Sequence, residues 1–262
     1  MKRIVFPNRK GGVGKSAILC QLAYYLADLL GLRVLVLDLD HQANASKAIG
    51  ASGLATVSAI PSSRILTERV TGIEDAKFVL VPGDELLTKL EKRAADHNQF
   101  AGNLQAFFQA VDGKFDVCLT DTNPTPDVRM MVSLVLATYV LSPVQLNQEA
   151  IDGIAGLTAD IKKVKMALNN DLIFMGILPN LVEAKPFQKA NFAQVAEHYA
   201  NLLIRLNQGG FALIKARTAI AEAQAAGVPV WKLGKTSAVE CWRELKPVFD
   251  QIAANIGVKS NA

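Results

Sequence analysis

The chain has 262 residues, 50% of them hydrophobic and 20% charged, enough for one compact domain and too few for two of ordinary size. A net charge of +4 assigns no anionic partner unless the basic residues gather on one face. Three cysteines, Cys20, Cys118 and Cys241, are scattered without CxxC spacing, which excludes a disulfide framework and a zinc site and leaves reduced thiols in or near the core.

Along the chain, Met1-Lys2-Arg3 runs straight into Ile4-Val5-Phe6 with no long apolar segment and no cleavage site, so no export is implied. Strands are expected at 3–7, 33–38, 78–81, 117–121, 138–142, 173–178 and 211–214, each apolar enough to be covered on both faces. Helices are expected at 15–30, 86–96, 104–111, 127–136, 153–168, 187–206, 219–226 and 237–256. The alternation predicts an α/β fold, a doubly wound, mostly parallel sheet forming a single domain over 1–262. With a strand so near residue 1, no helix-turn-helix domain is expected ahead of it. The most apolar stretch, 130–144, is broken by Ser133, Thr138, Tyr139, Ser142 and Pro143 and is too short to span a bilayer, so a cytoplasmic protein is expected. Connections 52–77 and 183–190 are the least regular parts and the expected switch or partner regions.

Three segments carry chemistry. Lys10-Gly11-Gly12-Val13-Gly14-Lys15-Ser16 lies between a strand and a helix. Its glycines let successive N–H groups turn inward around a phosphate, Lys15 neutralises phosphate oxygens and the Ser16 hydroxyl suits Mg²⁺. Arg9 stands where the general Walker A pattern has its first glycine. In the second segment a strand ends with Asp38 and Asp40 at alternate positions, where α/β sheets bind ligands. Acids there hold the waters of a divalent ion or orient an attacking water, and Asp38 also suits a cap for a following helix. In the third, an apolar strand ends at Asp121, placed to hold Mg²⁺ opposite Ser16. Farther on, Asn180 follows a strand, where its amide suits a base contact or a turn.

The KGGVGKS run resembles the deviant Walker A box of the ParA/MinD/nitrogenase-iron-protein ATPases. The resemblance implies that Lys10 reaches across a dimer to the partner's nucleotide, a cation supplied in trans to charge that develops during phosphoryl transfer. It implies nucleotide contacts from Lys10, Gly11, Gly12, Val13, Gly14, Lys15, Ser16, Ala17 and Asn180, catalysis by Lys10, Lys15 and Asp40, and Mg²⁺ at Ser16, Asp40 and Asp121. Residues 34–46 are similar to a segment that usually ends DLDPQGNAT, with His41 for Pro and Ala43 for Gly. The third segment usually reads DTPP, and here Asn123 replaces the first proline. Leu80-Val81-Pro82-Gly83, Ser142-Pro143-Val144-Gln145 and 219–230 follow the family's order, so the likeness covers 3–256. The family's proline near Lys215 is missing.

Within this superfamily a MinD-like membrane ATPase would carry a basic amphipathic tail, whereas Val248–Gly257 is nearly free of basic charge. An iron–sulfur reductase would carry cysteines at a dimer axis. The resemblance therefore implies a ParA/Soj-type partition ATPase using ATP and Mg²⁺. It implies a homodimer with ATP, nonspecific DNA and a ParB-like adaptor as partners, a nucleoid-associated location and no membrane. Lys215, Arg217, Lys232, Lys235, Arg243 and Lys246, in a region where acids are sparse, are the candidate phosphate contacts. A positioner of non-DNA cargo such as carboxysomes or chemoreceptor clusters, and a metabolic P-loop ligase, remain the alternatives.

Overall fold

The computed structural model describes residues 1–90, 94–125 and 127–258. Among the described residues seven strands form one sheet: β1 (Lys2–Phe6), β2 (Val34–Asp38), β3 (Thr56–Val57), β4 (Phe78–Val81), β5 (Val117–Asp121), β6 (Tyr139–Val144) and β7 (Ile173–Pro179). Their order is β3-β4-β2-β5-β1-β6-β7, and every pairing is parallel. Ten α-helices connect them among the described residues: α1 (Lys15–Tyr24), α2 (Asn44–Ala51), α3 (Ser62–Thr67), α4 (Leu87–Leu90), α5 (His97–Val111), α6 (Val128–Leu136), α7 (Gln148–Ala167), α8 (Pro186–His198), α9 (Thr218–Ala226) and α10 (Thr236–Asn255).

Strand β2, Val-Leu-Val-Leu-Asp, shows why the sheet is closed on both sides. Val34 and Val36 enter the core with α1, α2, α9 and α10, while Leu35 and Leu37 enter the opposite core with α3, α4, α5 and α6. Period-2 alternation with apolar residues at both phases suits a strand buried on two faces. Helices α7 and α8 extend the second layer over β6 and β7. From β1 the chain crosses β5's place to reach β2, and later returns to β1's other side as β6. Strand β1 thus marks the point where strand order reverses, and a crevice opens beyond the carboxyl ends of such strands.

Six of the expected strands form, with ends shifted by at most two residues. Residues 211–214 do not make a seventh. Gly209 and Gly210, at φ 96° and 79°, turn the chain back, and Phe211 meets Arg205 only in an isolated antiparallel bridge. The two-residue edge strand β3 takes the seventh place instead.

The helix expected at 86–96 is α4 followed by a 3-10 turn at Ala94–Asp96, and residues 91–93 fall outside the described residues. Helix α5 starts seven residues earlier than expected because Phe100 continues the stripe of Leu104, Phe107, Phe108 and Val111. The helix expected over 187–206 stops at His198, since Leu203 is drawn into a bridge with Ile177 of β7. Pro186 at the first helical turn begins α8 inside the supposedly irregular 183–190. Within 52–77 lie β3 and α3, and α2 has no counterpart among the expected helix ranges, although Asp38 suited a cap for a helix after it.

Candidate functional site

The three chemical segments follow three adjacent strands. In the parallel register Phe6 and Asp38 both pair with Asp121, so the loop after β1, the acids after β2 and the end of β5 meet at one edge. A cavity of about 610 Å³ opens there, walled by residues 10–17, Asp40, Gln42, Asn44, Lys47, Ala48, Pro124, Gln224 and Ala225.

The loop is held in the shape that its glycines permit. Gly12 and Gly14 stand at φ 76° and 77°, and Gly14 caps α1 in the left-handed region. From below, the Asn180 side-chain amide donates to Val13 O at 2.7 Å, and a Cβ on Gly14 would stand 2.5 Å from that nitrogen. Asn180 is 1% exposed and does not reach the cavity wall; its Oδ1 has no hydrogen-bond partner among the described residues. It braces the loop in this structure. Ser16 and Ala17 lie in the acid-free first turn of α1, where free N–H groups and the helix dipole favour an anion.

Lys15, 7% exposed, pairs with the fully buried Asp121, whose Oδ2 has no hydrogen-bond partner among the described residues. Asp38 lies beside Asp121 and is also fully buried. It accepts from the N–H of Asp40 at 3.0 Å and from the N–H and hydroxyl of Ser46 at 2.9 and 2.6 Å. Burial first, then the neighbouring Asp121 charge, push the Asp38 carboxyl up to about 7 against those donors. Asp38 therefore holds the first turn of α2, the capping role open to it from sequence.

Asp40 faces the cavity. Its Oδ1 accepts from Gln42 N at 3.0 Å, and His41 Nδ1 lies 3.7 Å from the same oxygen. The turn continues through Ala43 at φ 53°, ψ 38°, a left-handed conformation that explains why the resembled segment carries glycine there. Behind the turn, Gly83 packs so tightly that a Cβ would come 2.6 Å from Asp40 O and 3.1 Å from Asp38 O.

Lys10 is on the wall but turned toward α7, where it pairs with the largely exposed Glu149 and lies 3.5 Å from Asn147 Oδ1. Asn123 turns away from the cavity. Its amide donates to Asp127 at 3.1 Å, the residue that caps α6 and pairs with fully buried Arg129 at 2.7 Å. Pro124 takes the place on the wall. Sequence reasoning missed Gln42, Asn44, Lys47 and Gln224. They reach the wall through α2 and its approach to α9, where Gln224 donates to Asn44 O at 3.2 Å, and no local motif announces that contact.

The C-terminal basic residues depart from expectation. Acids are not sparse around them once the chain folds. Lys215 and Arg217 share Glu244, at 2.8 and 2.6 Å, Lys232 pairs with Asp28 at 2.9 Å, Lys235 with Glu222 at 2.7 Å and Lys246 with Asp250 at 2.8 Å. Only Arg243 of the six has no ion pair among the described residues. The expected open stripe is a set of surface pairs, because α10 itself supplies Glu244 and Asp250, α9 supplies Glu222, and the π-helical turn after α1 supplies Asp28.

The cysteines are free and buried, as expected, and burial holds the Cys118 thiol at about 12. Among the described residues no helix is long and apolar enough to cross a membrane, and no cluster of three or more His, Cys, Asp or Glu could hold a metal ion by itself.

A family model described as AAA domain matches residues 1–174. The chain is 35% identical over 263 residues to Protein IncC of Escherichia coli, covering 96% of this chain and 69% of that one. It is 31% identical over 201 residues to the chromosome-partitioning ATPase Soj of Thermus thermophilus, covering 76% and 77%. The structure of a Cyanothece McdA variant in complex with ATP superposes with a TM-score of 0.81 at 18% identity, over 100% of this chain and 98% of that one, a likeness of fold.

Proposed function

Because this chain belongs to the ParA/Soj-type P-loop partition ATPases, we propose that it binds Mg·ATP in the cavity beyond β1, β2 and β5 and dimerises around it. Hydrolysis then resets a DNA-positioning cycle. The observation that supports this most is the meeting of the glycine loop, Asp40 and the Lys15–Asp121 pair at one sheet edge.

The residues suit a magnesium nucleotide. Left-handed Gly12 and Gly14 form a cradle of N–H groups, and Lys15 stands at its base. The unpartnered Asp121 Oδ2 is a buried acceptor where a Mg²⁺-bound water would donate. With no all-protein metal cluster among the described residues, Mg²⁺ would be held jointly by Ser16, the acids and phosphate oxygens. When bound, that ion neutralises charge on the phosphate chain.

The chain's own groups divide the remaining work. Lys15 exchanges Asp121 for phosphate oxygens. Asp40, fixed by the Gln42 N–H, accepts a hydrogen bond from the attacking water and orients it. Lys10 leaves Glu149 for the nucleotide of a second protomer. Glu149 is 80% exposed, so the pair it breaks is worth little.

DNA contact by Lys215, Arg217, Lys232, Lys235, Arg243 and Lys246 belongs to the same proposal, with exposed ion pairs exchanging carboxylates for phosphates at small cost. A dimer doubles these contacts, so binding to nonspecific duplex rises with Mg·ATP. A ParB-like adaptor would stimulate hydrolysis, and the protein would be nucleoid-associated in a single-domain form. Light scattering and gel shifts with ATP, ADP and no nucleotide test the cycle. Equal DNA binding in all three states, or no ATP-dependent dimer, would sink it.

A further inference from the structure

Among the described residues three lysines stand on the cavity wall, Lys10, Lys15 and Lys47, with a single acid, Asp40. Two of the three are already neutralised, Lys10 by Glu149 and Lys15 by Asp121. Lys47 is exposed on α2, and its ammonium has no ion pair or hydrogen bond among the described residues. The groups that share its side of the wall are uncharged: Gln42, Asn44 and Ala48 from α2 and its approach, Gln224 and Ala225 from α9. The nearest acid of α9, Glu222, is taken by Lys235 at 2.7 Å. Ser46, one residue before Lys47, is turned inward to Asp38, which fixes the face of α2 that remains for the cavity.

Charge counting gives the position its meaning. With both ion pairs formed, the wall carries one uncompensated anion, Asp40, and one uncompensated cation, Lys47. Without Lys47 a polyphosphate would enter against a net negative wall until it had displaced an internal partner from Lys10 or Lys15. An ammonium on a flexible stem, unengaged and facing the same cavity, is suited to meet the anion first.

We propose that Lys47 is a phosphate-contacting residue of this cavity, its Nζ donating to a non-bridging oxygen of a nucleoside di- or triphosphate from the α2 wall. This rests on the nucleotide reading above and adds a contact from outside the glycine loop. The contact is made within one protomer.

The test uses ADP, which needs no second protomer, in calorimetric titrations of the full chain and its Lys47→Ala, Lys47→Gln, Lys47→Arg and Lys15→Gln variants. Lys47→Ala and Lys47→Gln should raise the ADP Kd about tenfold, the scale of one charge-assisted hydrogen bond. Lys47→Arg should stay within about threefold of the parent, because the charge is kept. The two neutral variants should also lose part of the salt dependence of binding, and their urea midpoints should not move. An unchanged ADP Kd in Lys47→Ala, with binding lost in Lys15→Gln, overturns the proposal and leaves the cavity reading intact. A defect seen only with ATP, together with a lost dimer in light scattering, places Lys47 at the protomer interface and also overturns it. Failure of the parent chain to bind ADP defeats both readings.

Discussion

The nucleotide edge and the C-terminal third of this protein both present basic residues near acids, yet they differ in how those charges are held. At the edge, Lys15, Asp38 and Asp121 are buried, the two acids held side by side by β2 and β5 in register and Lys15, at the start of α1, paired with Asp121. On α9, α10 and the turns before them, Lys215, Arg217, Lys235 and Lys246 sit in exposed pairs. Desolvation makes an unpaired charge costly in the first place and nearly free in the second. The same residue types therefore form a rigid reaction site at one edge and an exchangeable surface elsewhere.

The strongest way to break this contrast is Lys15→Gln. It should abolish ADP and ATP binding, raising Kd about a hundredfold or more through loss of a charge-assisted phosphate contact. By leaving Asp121 buried without its cation it should also destabilise the apoprotein by about 3 kcal/mol in urea melts. Full stability in that variant would show that the buried pair is not what separates the two regions. Next in size, Asp40→Ala should bind ATP normally, hydrolyse it about a hundredfold more slowly and accumulate as a dimer, since its acid orients water. A monomeric Asp40 variant in light scattering with ATP would contradict that division of labour. Lys10→Ala should bind ADP with unchanged affinity and lose the ATP dimer. A variant that dimerises normally would remove the trans role.

In the C-terminal region the expected effects shrink. Arg217→Ala should leave the urea midpoint nearly unmoved, as an exposed pair implies. Together with a Lys235/Arg243 double change, it should weaken Mg·ATP-dependent duplex binding without touching nucleotide affinity. Gel shifts with no loss in either variant would show that phosphates are not met on this face. The smallest effect concerns backbone alone. Ala43→Gly should stabilise the apoprotein by about 0.5 kcal/mol, the left-handed penalty relieved less the extra freedom of an unfolded glycine.

The same contrast explains what the sequence made legible. The loop 10–17 and the acids Asp40 and Asp121 could be found because strand, turn and helix succeed one another within a few residues, and the parallel sheet gathers strand ends at one edge. Six strands were readable for the same reason, being apolar at both phases. Helix α2 was not readable, because its first turn is secured by Asp38 from outside the helix and its own cap residue, Ala43, gives no signal. Lys47 and Gln224 were hidden with it. Asn180 suited a base contact or a turn from sequence alone; in the structure its amide donates to Val13 O beneath the loop, a pairing set by where β7 ends. The acid that meets Lys232, Asp28, comes from the π-helical turn after α1, and no spacing within the basic segment foretells it.

Gly83 has a last consequence for the acid it backs. With a backbone already against Asp40 O, the turn bearing that carboxylate has no room to retreat. A glutamate at position 40 could not take up its extra methylene by easing the chain backward, and its carboxylate would be thrust about 1.5 Å farther into the cavity. Two residues of identical charge would thus be unequal here, and the reach of the acid is set by the segment that follows β4 as much as by the side chain itself.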